Sequence, residues 1–196
     1  MTEAIRELLG ELEAFGLRND REHGDRSRRM LNLSPDAGEF LAVAVRASKA
    51  RDVLEIGTSN GYSTLWLVLG LGSGGGNIVT VDFSEYKVAM AAENFARAGV
   101  GGVISQKQAD AGVFLAECAD ASFDFIFLDS ERTEYVRWWP DVRRALRPGG
   151  TIVADNALSH PEELAEFRKV VDADPAFLSC LVPVGKGEYF ASRIGE

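Results

Sequence analysis

Apolar positions along this chain follow two periods. Near the amino end Ile5, Leu8, Leu9, Leu12 and Phe15 recur at three- and four-residue spacing. That stripe predicts an amphipathic helix over residues 2–15, packed on its own domain or on a second subunit. Residues 16–30 then turn polar and carry Arg18, Arg21, Arg26, Arg28 and Arg29. The composition is that of a solvated connector or of an anion-binding edge facing a phosphate-bearing substrate or RNA. His23 reads as a surface histidine. Ser34-Pro35 supplies an N-cap and a first helical residue. Phe40, Leu41, Val43, Ala44 and Val45 give the helix that follows its apolar positions.

From residue 53 the pattern changes to short apolar runs that alternate with helical stretches. Runs at 53–56, 78–82, 103–108, 123–128 and 151–154 read as buried strands. Helices are expected over 65–71, from the Ser84 cap to about 98, from Asp110-Ala111 through Cys118, and over 131–146. His160-Pro161 opens another, with Glu162 and Glu163 in its first turn. Trp138 and Trp139 read as core or lid aromatics, and Pro148-Gly149-Gly150 as a turn. Two β-like runs, 177–184 and 188–194, joined through Gly185-Lys186-Gly187, predict a terminal hairpin. The alternation predicts one doubly wound α/β domain over 1–196, with the first 30 residues as helix and connector.

A net charge of −9 argues against broad affinity for DNA, RNA or membranes, although it leaves room for a local basic patch. No membrane-length apolar run or signal peptide is read, so a cytoplasmic protein is expected. Cys118 and Cys180 lie far apart without metal-ligand spacing and read as buried, reduced thiols. Two histidines cannot make a His-rich metal site.

The chemistry concentrates in VLEIGTSNGYSTL, residues 53–65. A strand with Glu55 in it leads into a loop containing Gly57 and Gly61, then a helix. Glycines let the backbone turn sharply and approach a ligand, and the N–H groups that open the helix favour an anionic ligand group. The spacing is not G-x-G-x-x-G, and NAD chemistry is correspondingly disfavoured. An acid at the mouth suits a cationic amine, and Asp82 after the second strand suits the two hydroxyls of a ribose. An amino-acid head and a nucleoside tail together point to S-adenosylmethionine.

With EIGTSNGYS, FDFIFLDSER at 123–132 and LRPGGTIVADNALSH at 146–160, the chain resembles the class I methyltransferases. More narrowly, it resembles the small O-methyltransferases of the catechol and caffeoyl-CoA type, from about Leu31 to Arg193. The resemblance implies a Rossmann-like, mostly parallel seven-stranded sheet with an antiparallel C-terminal strand and helices on both faces. It implies that Leu33, Glu55, Gly57, Thr58, Ser59, Gly61, Ser63, Asp82, Phe83, Asp110, Ala111 and Asp129 surround the cofactor. Ser63 matches the family serine that hydrogen-bonds the cofactor carboxylate. Asp110-Ala111 would lie against the adenine or, read locally, only cap a helix. Relatives are often dimers, so a homodimer is expected.

Four strands end in acids or amides: Glu55, Asp82, Asp129 and Asp155-Asn156. Asp129, Asp155 and Asn156 are hard oxygen ligands suited to Mg²⁺ or Ca²⁺, and they match the metal positions of the metal-dependent relatives. Such a metal lowers the pKa of the hydroxyl to be methylated. The family pattern DADK, with lysine as base, is here Asp129-Ser130-Glu131-Arg132. Arg132 cannot be deprotonated; it can orient an anion or stabilise an oxyanion. His160 is then a candidate base. The expected catalytic set is Asp129, Arg132, Asp155, Asn156 and His160, acting on a small hydroxylated molecule. Two alternatives stand beside it: methylation of hydroxylated tRNA uridines, and a non-catalytic cofactor-binding protein.

Overall fold

The computed structural model describes residues 2–195. Its strands are β1 (Asp52–Ile56), β2 (Asn77–Asp82), β3 (Ile104–Gln108), β4 (Phe123–Leu128), β5 (Leu146–Ala154), β6 (Phe177–Val182) and β7 (Glu188–Arg193). Its α-helices are α1 (Thr2–Glu22), α2 (Pro35–Ala47), α3 (Tyr62–Leu71), α4 (Glu85–Ala98), α5 (Ala111–Glu117), α6 (Tyr135–Ala145) and α7 (Pro161–Asp172). The sheet order is β3-β2-β1-β4-β5-β7-β6. β7 runs antiparallel to both β5 and β6, and the remaining pairs are parallel. Strand order reverses between β1 and β4, so a crevice opens at their carboxyl ends.

Side chains alternate across the strands, and the two faces make two cores. Val53, Phe125, Phe127 and Val153 pack under α1, α2, α3 and α4. Leu54, Ile56, Ile126, Leu128 and Ile152 pack under α5, α6 and α7. Each such fully buried leucine or isoleucine contributes about 2 kcal/mol. Ile5, Leu8, Leu9 and Leu12 join the first of these cores, so α1 packs on its own domain. Trp138 and Trp139 are buried; Trp139 meets Phe167 and Phe177 edge-on at 5.9 and 5.0 Å between ring centroids. Both are core aromatics.

Three expectations are corrected. α1 does not stop at residue 15 but runs to Glu22, carrying Arg18 and Arg21 on a helix. Gly16 is there for close approach: a Cβ on it would stand 2.6 Å from Asn32 Nδ2. Pro148-Gly149-Gly150 does not separate a turn from a strand; it forms an irregularity inside β5, where the register against β4 shifts. Neither cysteine is fully buried: Cys180 lies exposed on β6, and Cys118 is half-buried. None of the described helices is long and apolar enough to cross a membrane.

Candidate active site

The glycine loop bridges β1 and α3 over the crevice. Gly57 has φ of 109°, and a Cβ there would stand 2.0 Å from the Asp129 carbonyl oxygen. Only glycine lets the loop cross the end of β4 at this distance. Ser59 N–H donates to Asp82 Oδ2 at 2.8 Å, while Asp82 Oδ1 accepts from Ser84 N–H at 2.9 Å. Ser59 Oγ donates to the Met30 carbonyl at 2.8 Å. That bond ties the loop to a strap formed by the segment after α1. Asp20 anchors the strap from below, accepting from Met30 N–H at 2.6 Å and Leu31 N–H at 2.9 Å. Leu31, Ser59 and Asn156 all hold φ above zero without being glycine, at 54°, 46° and 71°. All three line one cavity of about 670 Å³, whereas Lys49 and Ala121, which also hold positive φ, lie away from it.

Leu33, Gly57, Thr58, Ser59, Ser63, Asp82, Asp129, Arg132, Asn156 and His160 line that cavity. Phe83, Asp110 and Ala111 line a second recess of about 370 Å³ against the same loop, shared with Trp138 and Glu131. Asp110 also caps α5, accepting from Val113 N–H at 3.0 Å, so both of its expected roles are compatible.

Glu55, Gly61 and Asp155 are placed differently. Glu55 is fully buried under α3 and does not reach the cavity. Its carboxylate accepts from Ser63 Oγ at 2.5 Å, from Thr80 Oγ1 at 2.6 Å and from Thr64 Oγ1. Burial pushes its carboxyl up to about 7 against the pull of these hydroxyls. An acid on an apolar strand points to one face or the other, and this one faces the helix. Gly61 turns towards α4, where a Cβ would meet the Phe95 ring at 2.5 Å. Asp155 is buried behind Asn156, beside fully buried Glu188. Burial is the first cause that raises the Asp129, Asp155 and Glu188 carboxyls, and Asp155 adds to the rise of both of its neighbours.

The family model described as O-methyltransferase matches residues 7–194. The chain belongs to this O-methyltransferase family. A catechol O-methyltransferase of Niastella koreensis is 32% identical over 69% of this chain, and the match spans 62% of that protein's length. An O-methyltransferase from Bacillus cereus, solved with SAH, superposes with a TM-score of 0.80 at 27% identity, covering 97% of this chain and 90% of that one. The O-methyltransferase of tomaymycin synthesis from Streptomyces achromogenes, solved with SAM, gives a TM-score of 0.76 at 25% identity, over 98% and 90% of the two chains.

The metal expected of this methyltransferase does not fit its donor set. Asn156 Oδ1, the amide oxygen a cation would need, accepts from Arg132 Nη1 at 3.0 Å. The two Asp155 oxygens accept from Asn156 N–H at 2.6 Å and from Asn156 Nδ2 at 2.7 Å. Asp155 does not line the cavity. A divalent ion on Asn156 Oδ1 would lie against the buried Arg132 guanidinium, a like charge that already holds that oxygen. Of the expected triad, Asp155 and Asn156 are joined by hydrogen bonds and carry Arg132 at their front, while Asp129 lines the cavity beside them.

Several site residues carry no local signal in the sequence. Thr64 and Thr80 hold Glu55 from an adjacent helix and strand. Glu163 reads as an ordinary acid in the first turn of α7, yet it is the partner of Arg132, 31 residues away. Lys87 and Lys186 reach the cavity from two distant places, and the fold brings them to Arg26 and Arg29 of the arginine-rich segment. His160 also lines it, with Nδ1 2.8 Å from Ser159 Oγ.

Proposed function

We propose that this methyltransferase transfers the methyl group of S-adenosylmethionine to a hydroxyl of a small molecule of the catechol or vicinal-diol type. The observation that carries the reading is the cavity between β1 and β4, floored by the Gly57–Ser59 turn and flanked by Asp82. Asp82 sits where its two carboxylate oxygens would accept from the hydroxyls of a ribose diol. The recess lined by Phe83, Ala111 and Trp138, with Asp110 and Glu131 beside them, offers an adenine ring apolar contact and polar groups at its edge. Ser63 faces the cavity while its proton is given to Glu55. Its oxygen therefore meets a ligand as an acceptor, which suits the ammonium of the methionine part better than the carboxylate. Glu55 acts on the ligand through that hydroxyl.

The transfer needs a desolvated hydroxyl oxygen in line with the sulfonium methyl, and most of the acceleration comes from that placement. In this reading the hydroxyl proton passes to His160 Nε2, with Nδ1 turned to Ser159. The oxygen lone pair forms the bond to the methyl carbon as the carbon–sulfur bond breaks. Its electron pair returns to sulfur, leaving neutral S-adenosylhomocysteine. Arg132 takes no proton in this scheme and stabilises the oxygen as it becomes anionic.

Calorimetry with S-adenosylhomocysteine tests the cofactor half. Tight binding to the wild type that falls at least about tenfold in Asp82→Ala supports it. Equal binding by both proteins sinks it. One observation favours a second acceptor class: Arg26, Arg29 and Lys87 at the cavity can meet phosphates. A salt-dependent gel shift with total tRNA would bring hydroxylated uridines forward; no shift at physiological salt removes them.

A further inference from the structure

The guanidinium of Arg132 stands where a metal was expected, and its surroundings are built to keep it there. The side chain is almost wholly buried. Glu163 Oε2 accepts from Nε at 2.7 Å and is 2.7 Å from Nη2, a fork that fixes the plane of the group. Asn156 Oδ1 fixes the third corner through Nη1 at 3.0 Å. Asn156 holds its left-handed backbone conformation while presenting that oxygen, and its own amide is locked by Asp155. Three of the five guanidinium N–H groups are thus used. One on each terminal nitrogen is left over, on a side chain that lines the cavity.

We infer that Arg132, clamped by Glu163 and Asn156, is the resident cation that receives the acceptor's oxygens, so that acceptor binding needs no divalent ion. Two donors on one planar group match two adjacent oxygens, as on a catechol or a vicinal diol. Lysine could not do this, because its ammonium is a flexible point charge without a fork. Arginine also cannot serve as base, which separates charge stabilisation at Arg132 from proton removal elsewhere. Glu163 is a positioning residue: it touches no substrate but neutralises and aims the buried cation, which would otherwise be strongly unfavourable. The inference rests on the methyltransferase reading and names the group within it that recognises the acceptor.

The test uses the full chain saturated with S-adenosylhomocysteine, and 4-nitrocatechol as probe, because the visible band of its anion reports both binding and ionisation. Titrations are run in chelator and in Mg²⁺, on wild type, Arg132→Met, Glu163→Gln and Glu163→Asp, each first checked for an intact thermal transition. The expected result is wild-type affinity and apparent probe pKa that agree within about twofold between chelator and Mg²⁺. Arg132→Met binds at least about tenfold more weakly and no longer stabilises the anion, as loss of charge-assisted hydrogen bonds requires. Glu163→Gln shifts the probe spectrum in the same direction, and Glu163→Asp restores part of it. Wild-type binding that appears only with Mg²⁺ overturns the inference, whatever the variants do. So does an unchanged spectrum in a folded Arg132→Met. Failure of the probe to bind under either condition overturns it too. If S-adenosylhomocysteine still binds in these cases, the cofactor reading stands; if it does not, that reading has failed first.

Discussion

Replacing Glu55 by glutamine separates a cofactor ligand from a scaffold residue. Glu55 is fully buried with three hydroxyl partners, and its carboxyl is pushed up from 4.5 to about 7, first by burial. A carboxyl raised in the folded state favours folding while it is neutral. That contribution is full below pH 4.5 and is lost as the pH rises through about 7. The gap corresponds to about 3 kcal/mol. Between about pH 5 and about pH 8.5 the wild type should lose about 2.5 kcal/mol that the permanently neutral Glu55→Gln variant retains. At the acid end the two proteins should differ by about 1 kcal/mol or less, since the glutamine amide asks one hydroxyl to turn round. Urea unfolding of both proteins across this range measures the difference. Parallel stability profiles would refute the account of Glu55 as a buried, titrating scaffold group. The same variant should weaken S-adenosylhomocysteine binding by no more than about tenfold, because the only change at the cavity is the direction of the Ser63 hydroxyl. A loss of a hundredfold or so, the scale of a broken charge-assisted contact, would mean that Glu55 meets the ligand directly.

Further outcomes follow from the same geometry. Gly57→Ala places a Cβ 2.0 Å from the Asp129 carbonyl and keeps a left-handed φ; it should cost about 3 kcal/mol in thermal or urea unfolding and abolish S-adenosylhomocysteine binding in calorimetry. Asp20→Ala frees the Met30 and Leu31 amides that it holds at 2.6 and 2.9 Å; faster hydrogen exchange confined to the strap is expected, and unchanged exchange would show that the strap is anchored elsewhere. His160→Gln should lower kcat on catechol by about a hundredfold while leaving S-adenosylhomocysteine affinity alone. Undiminished turnover removes His160 as base.

The sheet was largely legible. β4 falls on residues 123–128 as the apolar run indicates, and Ser84 and Asp110 cap the helices assigned to them. Acids at strand ends are legible too, because an apolar run that stops at a charge marks where the sheet meets solvent. What the sequence does not carry is the direction each acid takes. Asp82 and Asp129 open to the cavity; Glu55 and Asp155 turn into the protein. Alternation along β1 assigns Glu55 to a face, but only the hydroxyls of Thr64 and Thr80 on neighbouring elements decide that the acid stays there. The polar stretch after residue 15 does not announce that α1 continues through Gly16, which makes room for Asn32. The Arg132–Glu163 pair joins β4's exit to the first turn of α7, a long-range ion pair that no local pattern announces.

The most direct test of the account is a methyl-transfer assay by mass spectrometry, with S-adenosylmethionine and catechol, on protein stripped with chelator and on the same protein supplied with Mg²⁺. The account predicts a singly O-methylated catechol in both, at rates within about twofold, and about a hundredfold less from Arg132→Met. Product that forms only with Mg²⁺ would contradict the resident cation. No product from catechol or any vicinal diol, with S-adenosylhomocysteine still bound, would contradict the acceptor class itself.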